Sequence, residues 1–141
     1  MKKIFTLGLG ILMLASCSSD DSGSSIDNSK LTDKKWYSVS ATVLGQTFPV
    51  ENDYPNCERD YIMFKTGGVF ETSYHTEDCQ EFTENGAWVL DGKTITTNED
   101  GDITNAVIKK LTNTQLEVTT QEDFNQDGEM ETITLRLTTS N

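Results

Sequence analysis

Short runs of β-branched and aromatic residues alternate with turn-forming residues along most of this 141-residue chain. No stretch shows the apolar period of 3.6 residues that marks an amphipathic helix. The Asp91-Gly92 and Asp100-Gly101 pairs are typical of tight hairpin turns. The chain is therefore predicted to be all-β.

The strand-like runs predict about eight strands joined by short turns. They cover residues 36–43, 61–65, 69–74, 87–90, 93–97, 103–111, 115–120 and 132–137. In the last run, Ile133, Leu135 and Leu137 alternate with polar residues, as expected when a sheet buries one face and leaves the other in water. This pattern predicts a small up-and-down antiparallel β-barrel, which closes its own edges. A two-sheet sandwich of the same strands is the alternative.

The N-terminus has the pattern of a bacterial lipoprotein signal. Two lysines precede an apolar run over residues 4–15, and the run ends in Leu14-Ala15-Ser16-Cys17. We predict a signal peptide at residues 1–16, a lipid-bearing Cys17, a flexible Ser/Asp tether over residues 17–29 and one domain over residues 30–141. The predicted location is the bacterial outer membrane, lipid-anchored, on the cell surface or on the periplasmic face.

Charge narrows the choice of partners. Removing residues 1–16 lowers Lys+Arg from 11 to 9 while Asp+Glu stays at 23, which leaves a mature chain near −14. Such a balance argues against nucleic acid and anionic lipid headgroups, because both are polyanions. We expect the membrane to be contacted through the lipid anchor, and the protein to be monomeric.

The remaining two cysteines form an even pair. Cys57 and Cys79 would lie in an oxidising compartment, which favours a disulfide. The alternative is a metal site, but His75 is the single histidine of the chain and leaves such a site short of donors.

Several loose motifs together resemble one family. They are Leu31-Thr-Asp-Lys-Lys-Trp36, the hairpin from Tyr61 to Phe70, Gly86-Ala-Trp88 and Lys110-Leu-Thr-Asn-Thr-Gln-Leu116. They resemble the lipocalin-like domains of bacterial surface lipoproteins. The resemblance implies a β-barrel lipoprotein with a binding role and no general ligand.

Aromatic side chains are the candidate ligand-binding residues. Those expected to point inward are Trp36, Phe64, Phe70, Tyr74 and Trp88. An eight-stranded barrel is just wide enough to be filled by side chains or to hold one small ligand. We therefore expect either a small apolar ligand or nutrient, or a filled barrel that acts as an envelope scaffold or interaction protein. No nucleophile elbow, phosphate loop or zinc motif is present in the sequence, so no catalytic residues and no enzyme activity are predicted.

An acidic loop before the last strand is a candidate calcium site. Its oxygen-bearing residues are Asp123, Asn125, Asp127, Glu129 and Glu131. The alternating spacing, with Gly128 at the sharp turn, is similar to the start of a calcium-binding loop. Calcium is the one possible cofactor, and a hairpin turn with solvated acids is the alternative.

Overall fold

The computed structural model describes residues 25–140 of the chain. The predicted signal peptide and the lipid-bearing Cys17 lie outside the described residues, as does most of the tether. Across residues 25–140, no helix is long and apolar enough to cross a bilayer.

Nine strands and one short 3-10 turn make up the described chain. The turn spans Asn28–Lys30. The strands are β1 (Tyr37–Val43), β2 (Gln46–Pro49), β3 (Tyr61–Lys65), β4 (Val69–His75), β5 (Glu81–Asp91), β6 (Thr94–Glu99), β7 (Asp102–Leu111), β8 (Gln115–Glu122) and β9 (Glu131–Thr138).

All nine strands belong to one antiparallel sheet in the order β2-β1-β9-β8-β7-β6-β5-β4-β3. This confirms the prediction of an all-β meander. The alternative, a two-sheet sandwich, is wrong because all strands belong to a single sheet. The ladder itself does not close, because β2 and β3 are its edges. The two sides of the sheet meet at the antiparallel bridge between Trp36 and Ile62, so the sheet is barrel-like.

The two ends of this sheet differ in what they contain. One end, called the base below, is formed by residues 25–36 and the turns at 66–68, 92–93 and 112–114. The opposite end, called the rim, is formed by the connections 44–45, 50–60, 76–80, 100–101 and 123–130.

Two strands differ from the sequence-based expectation. The edge strand β2 was not predicted, because its four residues are all exposed and end in Pro49, a residue that edge strands tolerate. β5 has 11 residues instead of the expected four, and its two halves pair with different neighbours. Ala87 pairs with both Val69 and Asn98, so β5 changes partner there.

Gly86 permits this change of partner. A Cβ atom added to Gly86 would lie 2.3 Å from the backbone oxygen of Asn98. Only a residue without a side chain lets the β5 and β6 backbones approach so closely. Glycine is therefore needed at this position for a steric reason.

Turn chemistry explains a further difference. Asp100 and Gly101 form the two-residue turn between β6 and β7, and both have positive φ, at 51° and 97°. Asp91, by contrast, is the last paired residue of β5 and pairs with Thr94, so the β5–β6 turn consists of Gly92 and Lys93. The Asp-Gly signal thus locates both hairpins and misplaces one turn by a single residue.

The core lies inside the sheet and near its base. Its buried members are Leu31, Trp36, Phe64, Phe70, Trp88, Ile95, Ile108, Leu116, Val118 and Leu137. The ring of Phe64 lies 5.3 Å from the rings of both Phe70 and Trp88. Such aromatic contacts add to the free energy gained by burying the rings.

A disulfide joins two connections at the rim. Cys57 and Cys79 are bonded, with their Cα atoms 5.1 Å apart. The bond ties the long loop 50–60 to the turn between β4 and β5. The predicted pairing is confirmed, and these two cysteines are not metal ligands.

Candidate functional site

An apolar cavity of about 200 Å³ lies inside the sheet. Its lining residues come from seven strands: Ser38, Ile62, Phe64, Phe70, Ile95, Thr97, Thr104, Ala106, Leu116, Val118, Thr120, Leu135 and Leu137. An engineered apolar cavity of about 150 Å³ in another protein accepts benzene. The cavity is therefore large enough for a ligand built around one small ring.

The base side of the cavity is closed by side chains. Leu31 and Trp36 are fully buried. The indole Nε1 of Trp36 donates to the carbonyl oxygen of Leu31 at 2.9 Å, and that of Trp88 donates to the carbonyl oxygen of Lys65 at 3.0 Å. Because both polar indole groups are satisfied, the two rings form a stable floor rather than a ligand surface.

The rim side of the cavity is polar. Thr97, Thr104 and Thr120 line the cavity next to the rim, and the side chain of Thr104 is exposed. A ligand would reach the interior past these threonines.

Carboxylates follow the threonines on the same face of the sheet. Glu99, Asp102, Glu122 and Glu131 occupy the next inward register positions of β6, β7, β8 and β9. The hydroxyl of Thr72 donates to Oε1 of Glu99 at 2.7 Å. Carboxylates surrounding an opening disfavour an anionic ligand through like-charge repulsion.

The structure separates the five predicted ligand residues into three groups. Phe64 and Phe70 line the cavity. Trp36 and Trp88 are buried in the core but belong to its floor, outside the lining set. Tyr74 is 38% exposed and stacks on Phe82, because β4 and β5 continue beyond the cavity at this point.

Most of the cavity wall is aliphatic, and the aromatic-based prediction did not name it. Leu135 and Leu137 lie on the face that alternation predicted to be buried, and they pair across the strands with Val118 and Leu116, which line the same wall. The same alternation, continued to Thr97 and Thr120, would have indicated the polar side of the cavity. Aromatic content identified Phe64 and Phe70, whereas alternation indicates the aliphatic wall and its polar end.

A second pocket of about 250 Å³ lies between the loop 50–60 and strands β3 and β4. The Arg59 guanidinium on its wall donates to the carbonyl oxygens of Ser38 and Val50. Burial raises the pKa of Tyr61 to about 12, and the nearby Glu71 carboxylate adds to the rise. Arg59 is bonded to backbone carbonyls and Tyr61 to Glu71, so the pocket has the character of a packed loop junction.

His75 is part of the same junction. Its side chain is 5% exposed, and its Nδ1 lies 3.1 Å from Oδ1 of Asp60, which also accepts the backbone N–H of His75 at 2.8 Å. The side-chain partner of His75 is thus Asp60. The carboxylate anchors the start of β3 to the end of β4.

The acidic loop is folded through its own backbone amides. Oδ1 of Asp123 accepts the N–H of Asp127, and Oδ2 accepts that of Gly128, both at 3.0 Å. Glu131 accepts the N–H of Phe124 and the side-chain amide of Asn125. The amide of Glu129 donates to Oδ1 of Asp127. Within residues 25–140, no group of three or more His, Cys, Asp or Glu side chains is arranged to hold a metal ion. Calcium binding stays a prediction.

Comparisons with known proteins agree on the fold. The sequence pattern of the lipocalin-like domain family matches residues 25–118. A lipocalin-like protein from Bacteroides uniformis superposes with a TM-score of 0.52 at 14% identity, covering 74% of this chain and 96% of that one. The bovine lipocalin allergen Bos d 2 superposes with a TM-score of 0.50 at 15% identity, covering 82% and 76%. Among curated proteins, none matches this chain.

The family match extends over about two-thirds of the chain and includes strands β1 to β7 with the buried Trp36 and Trp88. The meander, the floor of the sheet and the interior cavity are consistent with it. The chain belongs to the lipocalin-like domain family.

Proposed function

We propose that this protein binds a small, apolar, uncharged or cationic ligand inside its sheet. The observation that carries the proposal is the apolar cavity of about 200 Å³, which has a closed floor at the base and a polar opening at the rim. A fully filled interior would favour the scaffold alternative, and the cavity favours binding. The volume limits the ligand to about eight non-hydrogen atoms, by comparison with the six of benzene in a cavity of about 150 Å³.

The acids at the rim refine the ligand class. Glu99, Asp102 and Glu122 lie on the inward face at the rim ends of β6, β7 and β8. No lysine or arginine lies on the inward face at these three strand ends. A carboxylate-bearing ligand would approach a field of its own sign. Neutral ligands are therefore favoured over their anionic analogues of the same size.

A thermal-shift experiment with toluene and benzoate tests this function. At ten times its dissociation constant, a ligand stabilises the folded state by about 1.4 kcal/mol. We expect toluene to raise the melting temperature of the purified protein and benzoate to leave it unchanged. No shift with toluene at saturation would contradict the proposal.

Two variants make the test specific to the cavity. Ala106→Leu adds volume to the cavity wall and should abolish the toluene shift. Val89→Leu adds the volume of one methylene group on the outer face, where Val89 is 62% exposed, and should keep it. Leu135→Phe is a second filling variant should Ala106→Leu fail to fold. An equal toluene shift in all variants would place the ligand elsewhere.

We further propose that Cys17 is acylated and anchors the domain to the bacterial outer membrane. The support comes from the sequence pattern of residues 1–17. Two or more acyl chains give stable attachment, while one chain gives reversible attachment. A mass spectrum of the N-terminal peptide tests the anchor: acylated Cys17 supports it, and an unmodified Cys17 contradicts it.

A further inference from the structure

Charge is distributed unevenly along the axis of the sheet. Eight of the nine described lysines and arginines lie in the half next to the base: Lys30, Lys34, Lys35, Lys65, Lys93, Lys109, Lys110 and Arg136. Five of the 21 described acids share this half: Asp27, Asp33, Glu71, Asp91 and Glu117. The base half is therefore net +3, and the rim half, with Arg59 as its one cation among the described residues, is net −15.

Four of these lysines converge on one surface depression. Lys30, Lys93, Lys109 and Lys110 come from the 3-10 turn, the β5–β6 turn and the end of β7, and they line a depression of about 340 Å³. Its floor includes the apolar side chains of Ile108 and Leu111. We call this feature the lysine cluster.

The lysine cluster is weakly neutralised by its surroundings. Nζ of Lys30 lies 4.0 Å from Oδ2 of Asp27, and Nζ of Lys110 donates to the amide oxygen of Gln115 at 2.8 Å. Within residues 25–140, no ion pair or hydrogen bond engages the ammonium groups of Lys93 and Lys109. The cluster is thus able to contact an external anion.

We propose that the lysine cluster rests on the phosphate groups of an anionic phospholipid surface, so that the rim and the cavity opening point away from it. This inference rests on the proposed lipid anchor. Cys17 lies eight residues before Ser25, which lines the same depression. Eight residues span at most about 28 Å, so an acylated Cys17 would keep the base near the bilayer.

The two ends respond oppositely to such a surface. Juxtamembrane lysines are attracted to anionic lipids within about one Debye length, roughly 8 Å at physiological ionic strength. The rim half, at net −15, is repelled by the same lipids. The net charge of the whole chain predicted no contact with anionic headgroups, but the separation of charge gives the base the opposite preference.

Energy transfer from tryptophan to a dansyl-labelled lipid tests this orientation. Trp36 and Trp88 both lie near the base and serve as donors. The acylated full chain is reconstituted in vesicles of phosphatidylcholine alone and of phosphatidylcholine with phosphatidylglycerol. We expect about twofold more transfer on the anionic vesicles, and the excess should disappear at 0.5 M salt because the attraction is screened.

Matched variants identify the surface responsible. Replacing all four lysines of the cluster by glutamine should reduce transfer on anionic vesicles to the value seen on neutral ones. Arg59→Gln removes one positive charge at the rim and should leave the transfer unchanged. Equal transfer on both vesicle types, or wild-type transfer from the glutamine variant, would overturn the proposal.

Failure of the anchor and failure of the orientation give different results. A chain whose N-terminal peptide has no acyl groups overturns the anchor and this orientation with it. An acylated chain with equal transfer in both vesicles overturns the orientation alone. Ligand binding is measured independently by the toluene shift.

Discussion

Replacing both Cys57 and Cys79 by serine should lower the stability of the domain substantially. The two cysteines are 22 residues apart, and closing a loop of this length removes chain entropy from the unfolded state worth about 3.4 kcal/mol. Unfolding residues 25–140, which are 116 residues, has an entropy of about 0.24 kcal/mol/K. Dividing the lost free energy by this entropy gives a fall in melting temperature of about 14 °C. The fold itself should persist, because neither cysteine belongs to the buried core and the Asn52 side chain still bonds the carbonyl oxygens of residues 54 and 57 within the loop.

Calorimetry with and without reductant checks this value. The oxidised wild type should melt about 14 °C above the double variant, and the reduced wild type should have the same melting temperature as the variant. The variant is its own control, because reductant should not change its melting temperature. A difference below about 2 °C between oxidised wild type and variant would refute the chain-entropy argument.

Three further predictions follow from single positions. Gly86→Ala should destabilise the domain by about 1–3 kcal/mol in denaturant unfolding, because its Cβ would overlap the backbone oxygen of Asn98, and wild-type stability would contradict that contact. Folding raises the pKa of Tyr61 from 10.0 to about 12, so its contribution to stability is present below pH 10 and lost as the pH rises through 12. The stability difference between wild type and Tyr61→Phe should therefore shrink across that range, and a constant difference would contradict the shift. If the acidic loop binds calcium at about 10⁻⁴ to 10⁻³ M, millimolar Ca²⁺ should raise the melting temperature, with reversal by chelator and no response in Asp123→Asn or Asp127→Asn; an unchanged wild type would leave the loop as a plain hairpin.

Local sequence signals were sufficient for most of the sheet. Apolar residues alternate with polar ones in β9 and in the first half of β8. Asp100 and Gly101 form the turn between β6 and β7, as the Asp-Gly pair predicts. These signals act between residues that are neighbours along the chain or across a tight turn. β2 lacks such a signal, because its four exposed residues are ordered by pairing with β1 and not by burying a face.

The candidate site was less predictable. Of the five aromatic residues that the sequence predicted to point inward, all but Tyr74 are buried. It did not separate Trp36 and Trp88, which close the floor, from Phe64 and Phe70, which face the cavity. That distinction depends on height along the axis of the sheet, which is set by strand tilt and register and not by residue type.

By itself, the sequence determined the strand content, the meander, the cysteine pair and the total charge, because each depends on composition or on short-range pattern. Only the tertiary structure decided that the interior keeps a cavity, that β5 changes partner at Ala87, and that lysines gather at the base while acids gather at the rim. These features arise where residues distant in the chain are brought to the same end of one curved sheet. No local sequence pattern predicts these features, because they depend on residues that are close in space but distant along the chain.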